Sequence, residues 1–539
     1  MKILCIAHYH HTHQNHGDRH KMMLLPSSLL LLVAVVQLTS GGSVKPDDDA
    51  PGFEHWWTTN KNTFEDYPIK FEKPLPNWIY GTMVRNGPGQ FEMGKRKFTQ
   101  ALDGYAKLTS WKFPGDGTCL FSTKFIQSSF YKSSVERNDI APYLNFGVTV
   151  PPYDDVQKAE AMINAMDNMN VNFYNYSNTF VAVTDLWKCY EIDLPTLNTV
   201  RLIDAKIPTN NHSKTDDVIS LLSSAHPLQE YGKPGTYIDY LGGAGMIPGV
   251  IPDKITVIRT KGAEDHEVIA EWRMDAAPYM HTFAVTENHV IFIAHPYYQN
   301  FMTMAKNGYA AAGMEWRANE TAKVFVVNIP TGKVETFETE TVFALHHVNA
   351  YEVDNKIMVD IPVQPNPFFF KKLNFPSVLN ATERKSMTLI SKLRRYTIDM
   401  ESKTISHFDF PNASNSELPT INENYRSKPY CYVYGVVFNW NGEGFSHTGI
   451  LKKDVCGKTE NKMFQIPHHY PTEAWFVPAP PEVAKSEDDG VLLLVVLDGD
   501  RELSYLGIVD PKTMTLINKA YLPTTIPFNY HGRFLPGLW

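Results

Sequence analysis

One local pattern recurs along almost the whole chain: a β-rich run, a short polar turn, then a second β-rich run. It occurs at Lys107–Phe125 around Pro-Gly-Asp-Gly, at Lys188–Leu202 around Asp-Leu-Pro-Thr-Leu, at Ile255–Met274 around Lys-Gly-Ala-Glu-Asp and at Lys323–Phe337 around Asn-Ile-Pro-Thr-Gly. It returns at Arg394–Phe408 around Asp-Met-Glu-Ser-Lys, at Gly449–Phe464 around Asp-Val-Cys-Gly-Lys and at Leu506–Ala520 around Asp-Pro-Lys-Thr. The runs favour Val, Ile, Tyr, Phe and Thr, which fit a pleated surface, and the turns favour Asp, Pro, Gly and Asn, which fit tight reversals. Between several of these hairpins lie more apolar runs, such as His281–His295, Val348–Val363 and Val491–Leu497. A nearly continuous apolar run is what a buried strand requires. Two inner and two outer strands make a four-stranded blade. Seven such units with no linker between them predict an all-β fold, a seven-bladed β-propeller over residues 50–539. An array of β-sandwiches is the alternative. The uneven spacing of the hairpins predicts long loops inserted on one face, with a few short helices capping the axis; Asp154–Met166 is the best helical candidate.

The repeat gives meaning to four dispersed histidines, His226, His281, His346 and His531. Each follows a hairpin and is placed to begin an inner strand, so a closed ring would bring all four to the axis. Imidazole suits iron, zinc, copper and nickel, so residue type alone does not choose the metal. Glu417 and Glu473 follow the fifth and sixth hairpins at similar offsets. They are candidates to accept the second N–H of a metal-bound imidazole, a bond that fixes tautomer and orientation. His295, His347, His468 and His469 compete for the same role, and His295 shares the Ala-His-Pro setting of His226.

With 539 residues, 43% hydrophobic, the chain can bury a large core, and a net charge of -8 without a long basic run argues against nucleic-acid binding. The N-terminus, residues 1–42, reads as an extension followed by a secretory signal peptide: Arg19, His20 and Lys21 precede the apolar Leu24 to Leu38, and small residues follow. A signal anchor is the alternative, and Met22 or Met23 is a candidate start. On this reading the protein is secreted or lumenal; it is cytoplasmic if the segment is no leader. Five sequons, at Asn175, Asn211, Asn319, Asn380 and Asn412, are then candidate glycosylation sites. Cys119, Cys189, Cys431 and Cys456 lack zinc spacing and are read equally as one or two disulfides or as buried thiols.

A series of blocks in fixed order adds a resemblance. They are Gly81-Thr-Met-Val-Arg-Asn-Gly-Pro-Gly, Leu102-Asp-Gly, Ala225-His-Pro, Tyr279-Met-His-Thr-Phe, His346-His-Val-Asn-Ala-Tyr-Glu, Glu417-Leu-Pro-x-Ile-Asn, Tyr470-Pro-Thr-Glu-Ala-x-Phe-Val, Glu487-Asp-Asp-Gly and Ile526-Pro-x-x-x-His-Gly. Through them the chain resembles the carotenoid cleavage oxygenases, the family that includes the β-carotene oxygenases and the retinoid isomerase of the visual cycle. The resemblance implies a propeller with one axial Fe(2+) on His226, His281, His346 and His531, the family's His-x-x-Asn pattern selecting His346 over His347. It implies three supporting glutamates. Two map onto Glu417 and Glu473, and the third onto Asp185, one methylene shorter. Asp185 is expected to reach its histidine only through a backbone shift or a bridging water, and Asp185→Glu to preserve or raise activity. Leu102 stands where the family usually has Phe, and Tyr143–Tyr153 lacks the Pro-Asp-Pro-Cys segment that carries a lipid-anchor cysteine.

The reaction implied is cleavage by O2 of a conjugated C=C bond of a carotenoid or apocarotenoid to two carbonyl products, with no general base. Isomerisation, ester cleavage, isomerooxygenase chemistry and aryl-alkene cleavage are alternatives. So is a secreted carotenoid-binding protein that has lost catalysis. A substrate of this kind dissolves in membranes, and Phe368, Phe369 and Phe370, beside two lysines, are the candidate peripheral membrane contact. The alternative for that segment is a loop folded onto its own blade.

Overall fold

In the computed structural model, each of the seven polar turns closes an antiparallel hairpin. The structure describes residues 50–538, apart from 165, 207–217, 247–248 and 440–443. The leader assigned to residues 1–42 and the sequon at Asn211 lie outside the described residues.

Strand character follows the sequence pattern. Gly490–Asp498, with the sequence GVLLLVVLD, buries Val491 through Leu497. Each such side chain contributes roughly 1.5–3 kcal/mol relative to exposure. Asp265–Met274, an outer strand, is mostly half-buried or exposed and carries charges along its length. The hairpins extend into seven sheets in chain order. The second, fourth, fifth and sixth begin with the inner strands Asn172–Tyr176, Ala284–Val285, Asn349–Val353 and Ser416–Thr420. In the third, Val218–Leu222 and Leu228–Gln229 share the inner position, as do His469–Pro471 and Trp475–Pro478 in the seventh. The first sheet takes its inner strand from the C-terminus: His531–Pro536 pairs antiparallel with Tyr80–Gln90, setting Asn86 opposite His531. Gly532 permits that approach, because a Cβ there would lie 2.0 Å from the Val84 carbonyl oxygen.

The ring is closed by packing as well. Met83, Trp111 and Phe113 of the first sheet share one core cluster with Leu493, Val495 and Leu506 of the seventh. The third and fourth sheets meet through Tyr240, Ile255, Val290 and Phe292, and the fourth and fifth through Ile291, Val324, Val359 and Ile361. The seven-bladed propeller read from the hairpin repeat is the fold observed.

Inserted segments form helices over one side. Asp155–Asn164 matches the helix expected at Asp154–Met166. Ser129–Arg137 was not expected; Ser128 caps it by accepting from Tyr131 N–H, and left-handed Asn138 ends it. Phe301–Asn307, Phe368–Lys372, Phe375–Leu379 and Ala381–Ser386 complete the set of α-helices among the described residues. Cys431 and Cys456 form a disulfide across the ends of the sixth sheet's central strands, while Cys119 and Cys189 are buried free thiols.

Candidate metal centre

The four dispersed histidines meet. The ligand-capable nitrogens of His226, His281, His346 and His531 all lie within 4.8 Å of one another. Each comes from the start of an inner strand or from the residues just before it, in the third, fourth, fifth and first sheets. Nε2 of His226 and of His281 are 3.1 Å apart, and Nε2 of His346 and of His531 are 3.2 Å apart.

Three of the rings are oriented by carboxylates on the other nitrogen. His281 Nδ1 lies 2.7 Å from Asp185, His346 Nδ1 2.5 Å from Glu417 and His531 Nδ1 2.7 Å from Glu473. Asp185 therefore makes a direct bond, and the expectation of a backbone shift or bridging water does not hold. The shorter side chain reaches because the backbone after Thr179–Val183 runs close to the ring, with Leu186 bridging to Leu222. Asp185 is also held by Ala225 N–H at 2.9 Å and by the Tyr279 hydroxyl at 2.6 Å. Burial alone would push all three carboxyls up. The adjacent imidazoles and the donated hydrogen bonds outweigh it, so each sits below its ordinary value and is ionised at neutral pH.

This donor set calls for a cation. With Nδ1–H given to a carboxylate, the lone pair of a neutral imidazole is on Nε2. Burial, only partly offset by Glu473, drives His531 down to about 4, and burial with the neighbouring rings drives His226 well below its ordinary value, so both are neutral. His346 and His531 bring their Nε2 atoms to 3.2 Å, an approach that a cation between them would stabilise. Arg85, fully buried, donates to Glu473 at 2.7 Å. Three carboxylates and one guanidinium carry a net double negative charge beside the four rings, the complement of a divalent ion.

Sequence reasoning missed Arg85, Tyr279 and Gln364, whose side-chain amide lies 3.3 Å from Glu417. A lone charge inside the apolar run of Tyr80–Gln90 was the available signal for Arg85. The competing histidines stand apart from the cluster. His347 pairs with Thr282 at 2.7 Å, His468 with Asp500 at 2.8 Å and His469 with the Tyr505 hydroxyl at 3.1 Å. His295 is buried outside the cluster.

Two cavities meet at the histidines. One, of about 750 Å³, reaches His281, His346 and His531 and is walled by Leu102, Phe146, Val171, Phe301, Met304 and Phe528 among others. The helical insertions supply much of that wall. The other, of about 1110 Å³, runs on the opposite side past His226, His346 and His531 and is lined by Asn172, Asn349, Glu423, Arg426 and Arg533. The aromatic segment expected at the membrane is split. Phe368 is 60% exposed, but Phe369 turns inward and packs on Phe438 and Phe445 in the wall of the apolar cavity. The Phe370 side chain lies outside the described residues.

The family model described as "RPE65: Retinal pigment epithelial membrane protein" matches residues 58–536. The chain is 27% identical over 524 residues to beta,beta-carotene 15,15'-dioxygenase of Mus musculus, covering 88% of this chain and 90% of the mouse protein. It is 26% identical over 530 residues to carotenoid-cleaving dioxygenase, mitochondrial, of Macaca fascicularis, covering 86% and 90%. Among solved structures, cobalt-substituted Synechocystis ACO superposes with a TM-score of 0.76 at 22% identity, covering 90% of this chain and 98% of that one. The family expected from the sequence blocks is the family found, and its curated relatives are carotenoid-cleaving enzymes.

The same relatives correct the secretory reading. Proteins alike over most of the chain, from Macaca fascicularis and Homo sapiens, are named as mitochondrial, not secreted. A basic flank before an apolar run does not by itself separate a secretory leader from other N-terminal segments. The secreted or lumenal location therefore does not stand, and the relatives lend no support to a signal peptide or to glycosylation. Of the sequons, Asn319, Asn380 and Asn412 are exposed and Asn175 is half-buried, but nothing else favours their modification.

Proposed function

This chain belongs to the RPE65 family, and on that premise we propose that it is an iron(II)-dependent dioxygenase that cleaves a conjugated C=C bond of a carotenoid or apocarotenoid. The observation that carries the reading is the convergence of four imidazole nitrogens at the wall of an apolar cavity. His226, His281, His346 and His531 would hold the metal, and Asp185, Glu417 and Glu473 would keep three of the rings in the ligating tautomer. Iron(II) held by these four imidazoles would supply O2 activation.

The chain's own part is positioning and exclusion. A cavity of about 750 Å³ is in the range that encloses an elongated small molecule. Its Phe, Leu, Met and Val walls suit a polyene taken from lipid and keep bulk water from the reacting bond. No side chain is required to carry a proton, because both oxygen atoms of O2 end in carbonyl groups. A protein that has lost catalysis is not favoured, because the relatives do not point to a secretory route and Asp185 reaches His281 directly.

Incubation of the iron-loaded protein with a carotenoid panel under labelled O2, with the products identified by mass, tests the reading. Label in both carbonyl products is expected. An isomerised or hydrolysed product without label sinks oxidative cleavage and supports the isomerase alternative.

A further inference from the structure

The reaction proposed above uses only one of the two cavities that meet at the histidines. The apolar cavity faces His281 but not His226; the axial channel faces His226 but not His281; His346 and His531 border both. We propose that the axial channel is the route by which a divalent cation reaches the histidine cluster, and that Arg533 is the electrostatic gate on that route. The inference rests on the metal reading of the preceding subsection.

The walls decide between the two routes. The larger part of the first cavity's wall is apolar, with Phe, Leu, Met and Val prominent, and over it a hydrated divalent cation loses solvation that those side chains do not replace. The axial channel is lined instead by polar and charged residues, Gln229, Glu230, Asn424 and Lys428 among them, so a cation there keeps water and polar neighbours. The channel also stays open when the apolar cavity holds a polyene, so metal uptake and substrate binding need not compete.

Arg533 lies two residues beyond His531 on the same strand, so strand alternation places both side chains on one face. Its guanidinium carbon sits 3.7 Å from the centroid of the Tyr174 ring, and its Nε is buried with no hydrogen-bond partner among the described residues. The nearby acids are already engaged: Glu423 bonds Arg426 at 2.6 and 3.1 Å, and Glu473 bonds Arg85 at 2.7 Å. Arg533 thus has no carboxylate in direct contact: its charge lies over the Tyr174 ring, with Trp475 at 5.9 Å and the already paired Glu423 further off. Placed in a narrow polar channel, it opposes a doubly charged cation moving in either direction. Arg533 is a gating residue on this reading, not a catalytic one.

Cobalt(II) uptake tests this without turnover. The metal-free protein is mixed with excess Co2+ under anaerobic conditions and the growth of the visible cobalt absorption is followed. This is done with the apolar cavity empty and again with it filled by a C40 polyene hydrocarbon, whose binding is read from its own absorption. Filling the cavity is expected to leave the uptake rate within twofold. Arg533→Gln is expected to raise that rate roughly tenfold, and Arg533→Lys to leave it near the parent value. Uptake that stops when the polyene is bound places the route in the apolar cavity and overturns the proposal, as does an unchanged rate in Arg533→Gln. If Arg533→Gln does not fold, the comparison of empty and filled parent protein decides alone. A folded protein that takes up no cobalt refutes the metal reading itself, an outcome distinct from cobalt entering by the other side.

Discussion

Asp185→Glu would bring the chain to the residue the family resemblance implies at this position, yet the geometry predicts that it weakens the site. The Asp185 carboxylate is already saturated: Ala225 N–H at 2.9 Å on one oxygen, and the Tyr279 hydroxyl at 2.6 Å and His281 Nδ1 at 2.7 Å on the other. An extra methylene adds about 1.5 Å of reach. With the Cα fixed, the carboxylate must either fold back and release Ala225 N–H or drive the His281 ring toward His226, whose Nε2 is only 3.1 Å away. Losing one charge-assisted hydrogen bond in a buried site costs about 1.5–3 kcal/mol. That agrees with the roughly 10- to 100-fold losses, about 1.4 to 2.8 kcal/mol, that follow when a group orienting a metal-bound histidine is displaced. The expected result is a cobalt(II) dissociation constant raised 10- to 100-fold, read by competition with a chelator, with thermal stability of the metal-free protein little changed. Tyr279→Phe, which removes one of the three donors without changing reach, should fall at the low end of that range, about tenfold. An Asp185→Glu protein that binds metal as tightly as the parent would refute the reasoning. It would show that the local backbone yields to side-chain length.

Two further predictions follow from buried charge. Arg85→Met leaves Glu473 ionised and unpaired in a buried site and should cost about 3–5 kcal/mol in denaturant unfolding; a loss below about 1 kcal/mol would show that the pair is dispensable. Burial, partly offset by backbone donors, lifts the Asp239 carboxyl to about 8 in the folded state, far above its unfolded range. Its raised value means that the folded state holds a proton that the unfolded state has released. Stability is therefore lost as pH climbs from the ordinary carboxylate range through about 8. Because one oxygen accepts both backbone bonds, from Ser224 at 3.2 Å and Tyr240 at 2.7 Å, Asp239→Asn keeps both. It should flatten the fall in melting temperature between pH 6 and 9. An unaltered pH profile would show that Asp239 is ionised in the folded protein.

What was legible in the sequence was what strand periodicity and turn chemistry carry. All seven hairpins were readable because each outer pair is bounded by Asp, Pro, Gly or Asn at a reversal, and the ring then fixed where His226, His281, His346 and His531 must go. Features that depend on tertiary approach were not readable. Nothing in Thr184-Asp185-Leu186 reports that the following backbone lies near His281. Ser129–Arg137 is a short helix held by a serine cap and a left-handed asparagine, too brief for periodicity to separate it from a loop. In Phe368-Phe369-Phe370, composition gave an exposed aromatic cluster, whereas a single helical turn sends Phe368 outward and Phe369 into the cavity wall. The pairing of Cys431 with Cys456 required knowing that both flank the central strands of one sheet.

The orienting carboxylates are not distributed at random around the ring. His346 of the fifth sheet is held by Glu417 of the sixth, and His531, first residue of the strand that completes the first sheet, is held by Glu473 of the seventh. Glu473 is gripped in turn by Arg85 of the first sheet. The bonds that set the imidazole tautomers are therefore also bonds between neighbouring blades, and the seam where the two chain ends meet is the most heavily tied. His281 departs from this rule. Its carboxylate comes from the second sheet, across the third, and only there is the acid an aspartate with a tyrosine hydroxyl as extra support. A site built from neighbour contacts stays rigid as long as the ring is closed, since moving one imidazole requires parting two sheets. Metal affinity and ring stability should accordingly fall together at Glu473 and Arg85. At Asp185, whose bond reaches past the third sheet instead of tying two neighbours together, affinity should fall with the smaller loss of ring stability.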